Sequence, residues 1–201
     1  MEKAACQNGL EEMKYFFDSL SADWDSHHMN NDEKISAIAT AANIRPGAKI
    51  ADIACGTGVL LTELLSRNPS KILGIDLSNK MIAYASEKFA DPRLELVAAD
   101  LFEVKETGFD LAIIYNAYPH FPDKQKLVKH IFEMLNDGGR FMVAHGEGKE
   151  KINGRHTQGT VHRLSWPLRP VLEEAAEFSD LFHIDIMVDT PELYMFSGLK
   201  K

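Results

Sequence analysis

The feature that most constrains this 201-residue chain is an alternation of short apolar runs with amphipathic stretches of helical periodicity. AKIADIA (48–54), KILGID (71–76), RLELVAAD (93–100), FDLAIIYN (109–116) and RFMVAH (140–145) read as strands. Residues 34–43 place Ile35, Ile38, Ala39 and Ala42 on one helical face, and Arg45-Pro46-Gly47 ends that helix. VLLTELLSRN (59–68) and NKMIAYASEKFA, behind the N-cap Ser78, read as helices too. So does PDKQKLVKHIFEMLN, with Leu127, Ile131, Met134 and Leu135 on one stripe and Asp137-Gly138-Gly139 expected to stop it. Strands separated by helices return to the same end of a sheet and so run parallel.

The last third departs from this rhythm. Residues 146–170 are polar, glycine-containing and longer than a typical connection. VLEEAAEFSD (171–180) reads as a helix, and FHIDIMVD (182–189) and ELYMFSGL (192–199) as strands joined at Thr190-Pro191. So tight a connection requires antiparallel pairing. The expected fold is therefore α/β: a doubly wound, Rossmann-like, seven-stranded, mostly parallel sheet with helices on both faces and an antiparallel pair at one edge. Internal repeats, low-complexity tracts and linkers are not apparent.

Composition narrows the function. A formal charge of −8 disfavours life on nucleic acid or an anionic membrane, since phosphate binding is driven by clustered Lys and Arg. Two cysteines, Cys6 and Cys55, are too few for a disulfide framework. The first residues lack an apolar signal core, and no run of about 18 apolar residues occurs. The expectation is a soluble, cytoplasmic protein.

The main chemical signal is Asp52-Ile53-Ala54-Cys55-Gly56-Thr57-Gly58, running off the first strand into a helix. Two glycines let the backbone turn sharply and approach a ligand, at the edge where open α/β sheets bind small molecules. Asp76, Asp100 and Asn116 end the next three strands in phase with that loop. Taken singly, a G-x-G is a tight turn and a strand-end carboxylate is a helix cap. Four together mark one ligand-binding edge. A dinucleotide site wants a third glycine where Leu61 stands, and a triphosphate loop wants a lysine that is missing. The ligand then reads as an adenosine without phosphates. Asp76 suits its ribose diol, and Asp52 a cationic amino-acid moiety. Those three parts describe S-adenosylmethionine. Cys55 reads as a small packing residue rather than a nucleophile.

ADIACGTG, GIDLS, AADLF and the Asn116 strand end together resemble the motif series of class I S-adenosylmethionine-dependent methyltransferases, over about residues 34–145. The resemblance implies that Asp52, Ala54, Cys55, Gly56 and Gly58 wrap the methionine end. It implies Asp76 on the ribose, Leu77 and Met81 beside adenine, and Asp100 and Leu101 against the ring, with Asp100 at the exocyclic amine. Asn116 completes the cofactor set. YFFDSLSADWD is similar to the lid helix of small-molecule members, where Tyr15, Phe16 and Trp24 either cover the cofactor or pack as ordinary helix aromatics. One domain, 1–201, is implied: an N-terminal lid (1–30), a cofactor-binding core (34–145), and a substrate-side loop with closing strands (146–201).

The acceptor is less legible. Relatives that methylate nucleobase or glutamine amines carry Asn/Asp-Pro-Pro-aromatic after the fourth strand; this chain has Asn116-Ala117-Tyr118-Pro119-His120-Phe121. That departure and the acidic charge point away from nucleic acid and towards a small molecule. Eight histidines occur. His120 and His145 are candidates for a general base, and His145, His156, Arg155 and His162 for substrate contacts; His156 with Arg155 and Arg163 alternatively reads as a carboxylate clamp. Solvated surface histidines and a metal site or metal-bound substrate stay open; no spacing matches a local ligand motif. His27-His28 follows the lid, and His130 and His183 receive no role. Two other functions remain: a catalytically silent S-adenosylmethionine-binding sensor or interaction module, and a nucleotide-dependent oxidoreductase, which Leu61 and the Asp76–Asp100 series disfavour.

Overall fold

The computed structural model describes residues 2–27, 31–157 and 159–201. Its strands are β1 (Lys49–Ile53), β2 (Lys71–Asp76), β3 (Leu94–Ala98), β4 (Phe109–Tyr115), β5 (Leu135–His145), β6 (Phe182–Asp189) and β7 (Tyr194–Lys200). They form one sheet in the order β3-β2-β1-β4-β5-β7-β6. β1 to β5 pair in parallel; β7 pairs antiparallel with β5 on one side and with β6 on the other. The expected antiparallel pair is present, with the reversed strand β7 inserted inside the sheet and β6 forming the edge.

The helices are α1 (Glu2–Leu20), α2 (Trp24–His27), α3 (Asp32–Ala41), α4 (Leu61–Ser66), α5 (Asn79–Lys88), α6 (Lys124–Met134), α7 (Lys149–Arg155), α8 (Gly159–Arg163) and α9 (Val171–Ala176). Strand parity assigns side chains to the two faces. Ile50, Ile72, Leu111, Ile113 and Met142 pack with Ile35 and Ile38 of α3 and Leu61 and Leu64 of α4. Ala51, Ile53, Ile75, Ile114 and Val143 face Leu127, Val128 and Ile131 of α6. That second layer extends into an aromatic cluster in which Phe141 stacks on Phe178 at 4.3 Å and Tyr118 meets Phe196 edge-on at 5.5 Å. Among the described residues, no helix is long and apolar enough to cross a membrane.

One boundary differs from expectation. α6 ends at Met134, three residues before the Asp137-Gly138-Gly139 stop. Leu135 is already extended, buried, and paired with Phe109 of β4. Residues 136–139 then bulge, with Gly138 at φ 71°, before Arg140 resumes pairing with Leu111. Burial of Leu135 and its place in the ladder outweigh the helical periodicity that the sequence carries through 136. The glycines shape a bulge, not a helix end.

Candidate active site

The C-terminal ends of β1 to β5 share one edge, and the candidate residues gather there. Past β1, Ala54, Gly56 and Gly58 all take left-handed backbone angles, φ 55°, 57° and 91°. Gly58 is strongly favoured, because its φ strains any side chain and a Cβ there would also lie 2.8 Å from Leu61 Cδ1 and Phe89 Cε2. At Gly56 the nearest atom to such a Cβ is Trp24 Nε1, 4.0 Å away, so the loop backbone is open on the side facing the N-terminal segment. The loop stays tied to the sheet through the Cys55 amide, which donates to the Ile75 carbonyl at 3.0 Å. Cys55 itself is buried and its thiol pKa is raised by burial and by Asp52 and Asp76, which suits a packing role.

Two carboxyl groups stand behind this loop. Asp76 accepts the Gly56 amide on Oδ2 and the Ser78 amide on Oδ1, both at 2.8 Å. Burial raises its pKa against those bonds. Asp52 is 1% exposed, and its Oδ2 has no partner. Burial, then the charge of Asp76, push Asp52 up to about 8. A buried carboxyl without a counter-ion is neutral at pH 7 and becomes charged when a cation reaches it. Next along the edge, Asp100 caps the turn at Leu101–Glu103 by accepting the Phe102 amide at 3.1 Å. Leu101 and Met81 are buried, and Leu77 is half-buried. Asn116, at φ 56°, accepts the Gly146 amide on Oδ1 at 3.0 Å and so ties the end of β4 to that of β5.

The N-terminal segment docks on this edge by charge. Asp18 accepts the Ser78 hydroxyl at 2.5 Å and the Lys80 amide at 3.2 Å. Asp25 accepts the Thr57 hydroxyl at 2.5 Å and pairs with Lys88 at 2.8 Å. Phe17 lies edge-on to Trp24 at 5.9 Å and to His120 at 5.1 Å, which links the glycine loop to the histidines. Tyr15 does not reach the site: it is 77% exposed. Two positions before Phe17, it lies about 200° round the helix from the face that Phe17 presents. Phe16 is half-buried and contacts Phe17 edge-on. Phe17, Asp18 and Asp25 carry no motif along the chain; a short helical turn between α1 and α2 brings the two aspartates to the same edge.

On the β4–β5 side, the turn Tyr118–His120 is anchored from below. Tyr118 is fully buried and donates its hydroxyl to Glu174 at 2.9 Å, while Lys124 donates to the Tyr118 carbonyl at 2.7 Å. His120 Nδ1 donates to the Leu164 carbonyl at 2.9 Å, which leaves Nε2 as its lone-pair nitrogen. Its ring lies 5.4 Å from that of His156. Burial lowers His120 to about 4. His145 closes β5, is 2% exposed, and has an Nε2 with no partner; burial and then His120 lower it to about 3. His156 is half-buried with an unpartnered Nδ1.

The other candidates lie further out. Arg155 is exposed and pairs with Glu147, His162 is exposed, and Arg163 reaches back to Glu12 at 2.7 Å. His183 is exposed, and His130 packs on Phe102. His28 and the His27 side chain lie outside the described residues. Among the described residues, no three His, Cys, Asp or Glu side chains are grouped to hold a metal ion.

Residues 50–139 match the family model described as a methyltransferase domain. Phosphoethanolamine N-methyltransferase 2 of Caenorhabditis elegans is 28% identical over 58% of this chain and 28% of its own length. Malonyl-[acyl-carrier protein] O-methyltransferase 1 of Ilyobacter polytropus is 32% identical over 56% of this chain and 43% of its own length. The chain thus spans less than half the length of either relative. In fold, it superposes on the magnesium protoporphyrin IX methyltransferase of Synechocystis PCC 6803, solved with bound S-adenosylhomocysteine, with a TM-score of 0.71 and 15% identity. That match covers 96% of this chain and all of the other.

Proposed function

We propose that this chain is a class I S-adenosylmethionine-dependent methyltransferase, which binds S-adenosylmethionine at the glycine loop and transfers its methyl group to a small molecule held by the ends of β4 and β5. The observation that carries the reading is the buried Asp52 carboxyl, whose Oδ2 has no partner, behind a glycine turn with room for a Cβ at Gly56. That combination fits an α-ammonium group arriving beside backbone that can approach closely. Gly56 leaves room for the methionine end, with Ala54, Cys55 and Gly58 shaping the turn. Asp76, whose two oxygens each take one amide, keeps lone pairs for the two ribose hydroxyls. Leu77, Met81 and Leu101 supply apolar surface to the adenine, Asp100 an acceptor for its amine, and Trp24 a cover from the lid. When bound, the cofactor supplies an electrophilic methyl on a sulfonium.

The chain's own contribution to transfer is positioning and the exclusion of water. Phe17 and Trp24 close the edge between loop and histidines, and Asp18 and Asp25 hold them there. His120, oriented by Leu164, offers a neutral nitrogen that can take a proton from an acceptor, and His145 and His156 offer ring nitrogens with no protein partner. The curated relatives are named for an amine acceptor in one case and an oxygen acceptor in the other; both are small or carrier-bound molecules.

The test is transfer of labelled methyl from S-adenosylmethionine into a low-molecular-weight metabolite fraction. Wild-type protein should label a small molecule. His156→Ala should reduce labelling while S-adenosylhomocysteine affinity stays within about threefold, a change under roughly 0.7 kcal/mol. Binding without any labelling would identify a silent sensor instead. Full labelling by His156→Ala would remove the histidine from the acceptor site.

A further inference from the structure

The ends of β4 and β5 gather three imidazoles and two cations. His145 Nε2 and His156 Nδ1 are buried without partners, and the His156 ring lies 5.4 Å from His120. Lys124 lies 3.4 Å above the Tyr118 ring, fixed by its bond to the Tyr118 carbonyl. The charged or titratable neighbours that act on His145 are His120, Lys124, His156 and Arg155; those on His120 are His156 and Lys124; that on His156 is Arg155. None of these is a carboxylate, although Glu174 and Glu177 act on Lys124. The acids of this side are already engaged: Glu174 by Arg169 and Tyr118, and Glu147 by Lys151 and Arg155.

We propose that this histidine cluster selects a methyl acceptor that is an oxyanion, a small carboxylate, and discriminates against amines. The inference rests on the methyltransferase reading above and adds to it the charge and atom type of the acceptor. A neutral imidazole carries one N–H, and an incoming carboxylate selects the tautomer that points it outward. His145 and His156 then each donate to the anion, while Lys124 supplies a positive field without which two neutral rings would hold it weakly, and Arg155 adds to that field from the rim, where it pairs with Glu147. Burial and the nearby cations keep His145 neutral at pH 7, so it acts as a directional donor. An amine acceptor would place a further positive charge among those cations with no acid to receive it. The step balances simply. A carboxylate oxygen forms the new C–O bond as the C–S bond of the sulfonium breaks and its electron pair stays on sulfur; opposite charges cancel, and no proton moves. The product is a methyl ester.

The experiment titrates the 201-residue protein, ¹⁵N-labelled at histidine, with succinate, glutarate and benzoate in one series and ethanolamine and 1,4-diaminobutane in another. Each series is run with and without saturating S-adenosylhomocysteine, and ring-nitrogen shifts are read. At least one carboxylate should move the His145 and His156 rings saturably, the amines should not, and Arg155→Gln should weaken that carboxylate by threefold or more. Ring shifts with the amines, or none with any carboxylate, overturn the inference. Failure of S-adenosylhomocysteine to bind at all would instead overturn the cofactor reading, because the carboxylate series is also read in its absence.

Discussion

The ends of β1 and β2 and the ends of β4 and β5 both bury ionisable side chains, with opposite outcomes. On the glycine-loop side the buried groups are acids: Asp52 is raised to about 8 and Asp76 is raised despite two amide donors. On the other side they are imidazoles, His120 lowered to about 4 and His145 to about 3. Desolvation is the leading cause in all four, and in each it favours the neutral form. The first region is therefore short of a cation, and the second is a set of neutral donors and acceptors in a positive field. On the proposals above, two neighbouring halves of one sheet edge take ligands of opposite charge. A sulfonium amino acid and an anionic acceptor meet that description.

The largest effect that would break this contrast is at Asp76. If it holds both ribose hydroxyls, Asp76→Ala removes two charge-assisted bonds of roughly 1.5–3 kcal/mol each, and S-adenosylhomocysteine affinity should fall on the order of 100-fold or more. Calorimetry on the variant checks this; unchanged affinity would put the ribose elsewhere. The same variant leaves the Gly56 and Ser78 amides without their acceptor, so its ligand-free melting temperature should also drop.

Next comes the pH dependence of cofactor binding. The ammonium prefers ionised Asp52, so affinity should rise with pH between about 6 and 8, approaching tenfold per unit, with a proton released on binding. Asp52→Asn should bind more weakly and flatten that slope. Titrations in two buffers of different ionisation enthalpy measure the proton directly.

Ligand-free stability sharpens the comparison, because the two regions respond to pH in opposite senses. Asp52 holds its proton in the folded state to about 8, above its unfolded value, so its stabilising contribution is lost as pH rises through that range. His120 and His145 are neutral when folded, and the unfolded chain takes up protons below about 6.5. Their contribution is thus present above that pH and is lost as pH falls towards 4 and 3. Denaturant unfolding of His145→Gln at pH 4.5, 5.5 and 6.5 should show a shallower acid-side slope than wild type, by up to about 1.4 kcal/mol per pH unit. An unchanged slope would mean that His145 is hydrated.

The smallest effect is at Ala54, which takes a left-handed angle at a cost of roughly 1–2 kcal/mol, partly offset by the chain entropy that glycine would bring. Ala54→Gly should stabilise the protein by about 1 kcal/mol or less in thermal unfolding. Destabilisation would show that the alanine methyl packs more than it strains.

The sheet was legible because its signals are local. Residues 182–189 coincide with β6, and Ser78 caps α5 with its side chain on the Met81 amide. The carboxylates of the edge were legible for the same reason, since a repeating strand–helix unit places Asp76 and Asp100 in phase. What the sequence hid depends on helix rotation and tertiary pairing. Tyr15 and Phe17 look alike in a row of aromatics, and only the docking of α1 through Asp18 decides which of them turns inward. The early end of α6 is set by Leu135 meeting Phe109, a contact between segments 26 residues apart. His120, His145 and His156 lie on three separate elements, so no spacing along the chain announces that they converge.

Calorimetric titration of S-adenosylhomocysteine into the wild-type protein at pH 7 and pH 8 tests the central claim most directly. The account predicts one site per chain, tighter at pH 8, with a proton released. Absence of heat, together with no thermal stabilisation of well-folded protein, would contradict it.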